Sequence, residues 1–214
     1  MSELEKPSLI TRTTRWGGFG VLIFALSLFI PNFATGQQAP NFVPQYDKSG
    51  RLKVPTGYET WVFVGSNIGL GYAAELPAMT AKEAKRVETG SFHNIYINPA
   101  AHQHFIETGE FPDPTVLVME HYEAKGKQPE GILDKGVFNG ARSGFEVAVK
   151  NPARPDGSKT PWAYYIFTDR KDPSQVKPVA KAFPDAACFS CHEKHASTDN
   201  VWVQFYPVLR KHLK

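Results

Sequence analysis

Thr115-Val116-Leu117-Val118-Met119-Glu120-His121-Tyr122-Glu123 carries the strongest strand signal in the chain. Its β-branched and aromatic residues favour an extended backbone, and the run is shorter than a typical helix. On its N-terminal side, Phe92-His93-Asn94-Ile95-Tyr96-Ile97 alternates and ends at Asn98-Pro99, a second strand. Pro99 suits the first position of a helix, with Asn98 as its cap. That helix carries Ala100, Ala101, Phe105 and Ile106 and stops near Gly109. Further back, residues 58–65 (YETWVFVG) read as a strand, or as a short helix running into one. On the C-terminal side, Phe145-Glu146-Val147-Ala148-Val149-Lys150 alternates as an antiparallel strand with one wet face does. A Pro/Gly turn over 151–161 leads to the strand Trp162-Ala163-Tyr164-Tyr165-Ile166-Phe167. Strands come before helices, with no regular β–α alternation. The expected class is therefore α+β, an antiparallel β-sheet with peripheral helices.

The other segments have weaker signals. Residues 37–53 read as an extended lead-in, 66–90 as a loop with a short helix near Thr80–Lys85, 126–144 as loop, and 172–183 as a short helix. A helix is expected at the C-terminus. No internal repeat and no second domain appear, so 54–214 is taken as one domain.

The chain has 214 residues, a net charge of +3, 42% apolar and 13% aromatic residues. That is enough apolar material for a substantial core. The charge is small and scattered, with no block of like charges, which argues against nucleic acid as a partner. At the N-terminus, basic Lys6, Arg12 and Arg15 precede an apolar run of about 14 residues ending before Pro31, and Ala34-Thr35-Gly36 offers small residues for cleavage. The run falls short of the ~20 residues a spanning helix needs. Residues 1–36 read as a signal peptide, or as a retained N-terminal anchor. Either places the rest outside the cytoplasm, in the periplasm.

The only two cysteines lie in Cys188-Phe189-Ser190-Cys191-His192. C-x-x-C-H is the attachment signal for c-type haem: each thiol forms a thioether to a haem vinyl group, and the adjoining histidine ligates the iron. A disulfide is an alternative in an oxidising compartment. A zinc site using His195 as fourth ligand is another, although its ligands would be crowded. The spacing favours one covalently bound haem c. Small electron-transfer cytochromes usually carry this motif near the N-terminus, and here it lies near the C-terminus.

Four segments, read in order, carry a family resemblance: Val54-Pro55-Thr56-Gly57-Tyr58-Glu59-Thr60-Trp61-Val62; Ile95-Tyr96-Ile97-Asn98-Pro99; Thr108-Gly109-Glu110-Phe111-Pro112-Asp113; and Trp162–Phe167 leading to Ala187–His192 and Phe205-Tyr206-Pro207-Val208-Leu209. The chain resembles the cytochrome P-460 and cytochrome c′-β family, periplasmic c-type haem proteins on a β-sheet scaffold. The resemblance implies a homodimer and an iron bound by the motif histidine, with its opposite face open or weakly occupied. It further implies one of two activities. Cytochromes P-460 oxidise hydroxylamine and carry a lysine–haem cross-link. The c′-β members lack the cross-link and bind nitric oxide or carbon monoxide beneath aromatic side chains. Just before the Ile95–Ile97 strand this chain has His93 where the cross-linking lysine is expected, with Lys82 and Lys85 nearby. Nitric oxide is therefore favoured over hydroxylamine as the ligand, with a periplasmic redox partner. A low-spin electron carrier is the alternative.

Several residues are candidates for the side of the iron facing away from His192. His93 is read as an iron ligand, as a hydrogen-bond donor or proton shuttle, or as a strand-end histidine satisfied within the fold. Phe63 and Phe92 are candidates for an apolar cap over the haem, and Arg154 for stabilising developing negative charge. Met79 and Met119 are the remaining thioethers, with Met119 better suited to the core. His121 is expected to be buried, Glu146 to face solvent or a haem edge, and His195 to approach a haem propionate. His102 and His104 stand at i and i+2 on a helix and face apart, which makes them a poor ligand pair.

Overall fold

A computed structural model describes residues 41–70, 90–125 and 136–213. Among the described residues, strands β1 (Leu52–Lys53), β2 (Val62–Ile68) and β3 (Ser91–Ile97) are followed by helix α1 (Pro99–Thr108), then by β4 (Thr115–Lys125), β5 (Phe138–Lys150), β6 (Trp162–Ile166) and β7 (Val179–Ala180), and last by helices α2 (Phe189–His195) and α3 (Pro207–Arg210). Five strands form one antiparallel sheet in the order β2-β3-β4-β5-β6, and β1 pairs with β7. Among the described residues, no helix is long and apolar enough to cross a membrane. The α+β expectation, an antiparallel sheet with peripheral helices, holds.

The central strand β4 is buried on both faces, which explains its apolar run. Leu117 points into a core formed by Ile95, Ile97, Phe105 and the C-terminal residues Val201, Val203, Tyr206 and Leu209. Val116 and Val118 point into the opposite core with Tyr58, Phe145, Val147 and Tyr165. Each such side chain contributes about 1.5–3 kcal/mol on burial. The first of these faces matters for function, because α1 and the whole C-terminal segment pack on it.

Local sequence explains the joints that hold this face. Gly109 ends α1 with φ of 82°, a left-handed conformation that glycine adopts without steric cost. Asn98 does not cap the helix through its side chain. Its Oδ1 instead accepts the Val116 N–H at 2.8 Å, tying the start of α1 to β4. On β2 a bulge falls between Phe63 and Gly65. A Cβ at Gly65 would lie 3.1 Å from Pro207, so the glycine allows α3 to sit down on the sheet edge.

Four segments differ from expectation. Residues 138–144 continue β5 and are not loop. Gly140 and Gly144 mark close approach of neighbouring side chains there, which the sequence alone reads as turn signals. Residues 172–183 form a turn and β7, since Pro173 and Pro178 disfavour a helix and the backbone of Val179 and Ala180 finds partners in Lys53 and Leu52. The lead-in closes as a small hairpin, with Tyr46 bridged to Leu52. The last helical region is the short α3, preceded by a 3-10 turn at Val203–Phe205. The expected helix near Thr80–Lys85, together with residues 1–36, Met79, Lys82 and Lys85, lies outside the described residues.

Candidate functional site

Helix α2 begins within the cysteine motif. Cys188 occupies its N-cap, and the His192 N–H donates to the Cys188 carbonyl at 3.1 Å. The i, i+3 spacing puts Cys188 and Cys191 on one side of this turn. Both thiols are free and half-buried. Burial pushes the Cys188 thiol up to about 11, with the Glu146 carboxylate and Cys191 adding to the effect. The preceding segment is clamped to the 151–161 turn: Asp185 accepts hydrogen bonds from Ser158 and Thr160, each at 3.0 Å.

The His192 ring is held on three sides. Its Nδ1 lies 2.8 Å from the Asn200 carbonyl oxygen. A carbonyl can only accept, so Nδ1 carries the proton and Nε2 is the acceptor nitrogen. The Trp202 indole N–H points at Nε2 from 3.4 Å. The Tyr164 ring lies 4.2 Å away at a shallow tilt, and the Trp202 ring 5.2 Å away edge-on. Burial lowers the His192 pKa, while the Asn200 hydrogen bond opposes that shift. The result is a neutral imidazole with a fixed tautomer and a defined lone pair, flanked by two thiols. That donor set fits a haem iron bound through Nε2. Among the described residues, no group of three or more His, Cys, Asp or Glu side chains could hold a metal ion by themselves.

A second cluster lies on the same sheet face. Along β3 to β5, His93 pairs with His121 and His121 with Gly144, while Met119 pairs with Glu146. Strand alternation puts His93, His121 and Glu146 on the face that carries Ile95, Met119 and Tyr164. The His93 and His121 rings are 4.4 Å apart. His121 Nε2 is 3.4 Å from Glu146 Oε1, and His93 Nε2 is 3.2 Å from the Ser91 hydroxyl. Gly144 makes the room: a Cβ there would lie 3.1 Å from Cβ, Cγ and Cδ2 of His121.

Other candidates are placed differently from expectation. Phe92 is adjacent to His93 in an unbulged part of β3, so its side chain projects from the opposite face. Phe63 packs edge-on against Tyr96, whose contacts belong to the opposite core, and it remains 46% exposed. Neither phenylalanine lies on the sheet face that carries Tyr164 and His192, so the two do not form the expected aromatic cap there. Arg154, a candidate for stabilising developing negative charge, is instead committed within the fold: its side chain is 1% exposed and ion-paired with Asp156 at 2.8 Å and Asp185 at 3.7 Å. Met119 packs partly buried against the first core. His195 contributes its backbone carbonyl to Gln204. Tyr164, Asn200 and Trp202 were not singled out in the sequence. Two of them lie beyond the motif and the third is on a strand, and a backbone carbonyl leaves no mark in residue identity.

The cytochrome P460 family model matches residues 55–203, more than half of the chain. No curated protein matches it. The matched span contains both histidine clusters, the five-stranded sheet and the cysteine motif, and the family implies a haem cofactor. The chain therefore belongs to the cytochrome P460 family.

Proposed function

We propose that this protein is an exported mono-haem c-type cytochrome that binds or converts small nitrogen oxides, with nitric oxide favoured over hydroxylamine. Cys188 and Cys191 hold the haem through thioethers, and His192 ligates the iron. The observation that carries the reading is the fixed tautomer of His192, with Nδ1 held by the Asn200 carbonyl and Nε2 as the acceptor nitrogen, where iron would take the place of the long 3.4 Å contact from the Trp202 N–H. Bound there, the haem supplies a redox-active iron able to take a small diatomic ligand. Around it, Tyr164 and Trp202 pack against the imidazole and restrict its rotation. His93 and His121, joined to Glu146, provide groups able to hold or pass a proton near the ligand. The preference for nitric oxide rests on His93 standing where the family resemblance places a cross-linking lysine. The protein acts as a homodimer outside the cytoplasm and exchanges electrons with a periplasmic redox partner.

The test is the ferrous absorption spectrum of the protein matured in a host that attaches c-type haem, with and without nitric oxide. Expected are haem that resists acidic organic extraction, an ordinary c-haem Soret band with high-spin features, and a new spectrum on adding nitric oxide. In Cys188→Ser/Cys191→Ser the haem should become extractable. A strongly red-shifted Soret band with hydroxylamine turnover would replace nitric oxide by hydroxylamine. Sharp low-spin bands unchanged by nitric oxide would refute ligand binding in favour of electron transfer. Sedimentation of the exported protein checks the dimer.

A further inference from the structure

We propose that Tyr164 tunes the iron's axial histidine by competing with His192 for a single acceptor, the Asn200 carbonyl. The inference rests on the reading that His192 ligates a haem iron. The oxygen accepts from His192 Nδ1 at 2.8 Å and from the Tyr164 hydroxyl at 3.2 Å. Two donors on one carbonyl each draw on the same electron density, so each bond is weaker than it would be alone. The Tyr164 phenol donates its O–H to this oxygen, and a carbonyl can only accept, so both groups reach it as donors.

The acceptor cannot drift to favour one donor. Asp199 and Asn200 have φ of 43° and 61°, two consecutive non-glycine residues in the left-handed region. Asp and Asn tolerate that region better than most residues, yet the pair persists only where its surroundings hold it. Those surroundings are specific. Asp199 accepts the Trp162 indole N–H at 3.1 Å and is ion-paired with Lys150 at 2.9 Å. Lys150 also donates to the Phe111 carbonyl at 2.7 Å. The turn is closed by the Val201 N–H donating to the Thr198 carbonyl at 2.8 Å. A clamp on β5 and β6 thus fixes the carbonyl that reaches the histidine.

A stronger bond to Nδ1–H gives the imidazole more anionic character, which favours ferric over ferrous iron. Tyr164 draws on the same oxygen and so favours the ferrous state. Removing its hydroxyl and loosening the clamp should therefore act in opposite directions. In haem-loaded Tyr164→Phe, which keeps the ring packed against His192, the reduction potential should fall and the iron–histidine stretching frequency should rise. In Asp199→Asn, which keeps an acceptor for Trp162 but loses the Lys150 ion pair, both should move the other way. A threefold change in the ferric-to-ferrous preference corresponds to roughly 30 mV for a one-electron couple. Lys150→Gln loosens the same clamp from its other end, should Asp199→Asn fold poorly.

Potential titration and resonance Raman spectroscopy of the ferrous protein read both quantities, and neither depends on turnover. Unchanged potential and frequency in Tyr164→Phe would overturn the proposal, as would shifts of the same sign in Tyr164→Phe and the clamp variants. Absence of an iron–histidine stretch in a ferrous protein whose absorption spectrum is high-spin would instead show that His192 is not the ligand, and the functional reading would fall with the proposal.

Discussion

Replacing Gly144 with alanine places a methyl carbon 3.1 Å from three atoms of His121, its Cβ, Cγ and Cδ2. Comfortable carbon–carbon contact lies at about 3.5–4.0 Å, so each contact is short by at least ~0.4 Å. His121 has little room to yield. Its ring lies 4.4 Å from that of His93 on one side, and its Nε2 lies 3.4 Å from Glu146 on another. Overpacking of this kind costs about 1–3 kcal/mol. Alanine also restricts the unfolded chain relative to glycine, which stabilises by about 0.4–1 kcal/mol. The steric cost wins, leaving a net loss of about 1–2 kcal/mol. For a domain of this size that is a fall in melting temperature of roughly 3–6 °C. Thermal melts followed by circular dichroism, at fixed haem loading, would measure it. The decisive comparison is a double-mutant cycle with His121→Ala, which removes two of the three short contacts. Gly144→Ala should cost clearly less in that background. Equal costs in both backgrounds, or a stabilised single mutant, would refute the claim that Gly144 exists to seat His121.

Three further outcomes follow from other sites. Arg154→Leu should lower stability by about 3–5 kcal/mol in denaturant unfolding, because it strips a buried ion-paired guanidinium from Asp156 and Asp185; wild-type stability with altered ligand binding would instead favour a role in the site. Asn98→Ala should cost about 1–3 kcal/mol, read from the denaturation midpoint, since it leaves the buried Val116 N–H without its side-chain acceptor. His102 has its pKa lowered below 6.5, chiefly by burial and then by the charges of His212 and Lys211. Its folded value lies below its unfolded one, so its stabilising contribution is complete above about pH 6.5 and is lost as pH falls through the folded value. His102→Leu should flatten that part of the acid-side stability curve, and an unchanged slope would contradict the assignment.

The sheet, the start and stop of α1 and the cysteine motif were legible because each is written in neighbouring residues. Period-two alternation marks strands, proline and glycine mark helix ends, and two cysteines with an adjoining histidine mark haem chemistry within five positions. Where a residue's meaning depended on what approached it, the sequence misled. Gly140 and Gly144 read as loop but sit in β5, and residues 172–183 read as helix until Val179 and Ala180 found their partners in β1.

Sequence by itself therefore determined the fold class, the strands of the sheet and the thiol–imidazole set, because backbone preference and motif spacing are local properties. Tertiary structure alone decided which side chains share a face and what holds them there. Alternation turned Phe92 away from the face that carries His93, and register brought His93, His121 and Glu146 together. Packing buried Arg154 between two aspartates, and a left-handed turn some eight residues beyond the motif delivered the carbonyl that orients His192. These are long-range pairings, set by how strands stack and where a chain returns, and no single stretch of residues encodes them.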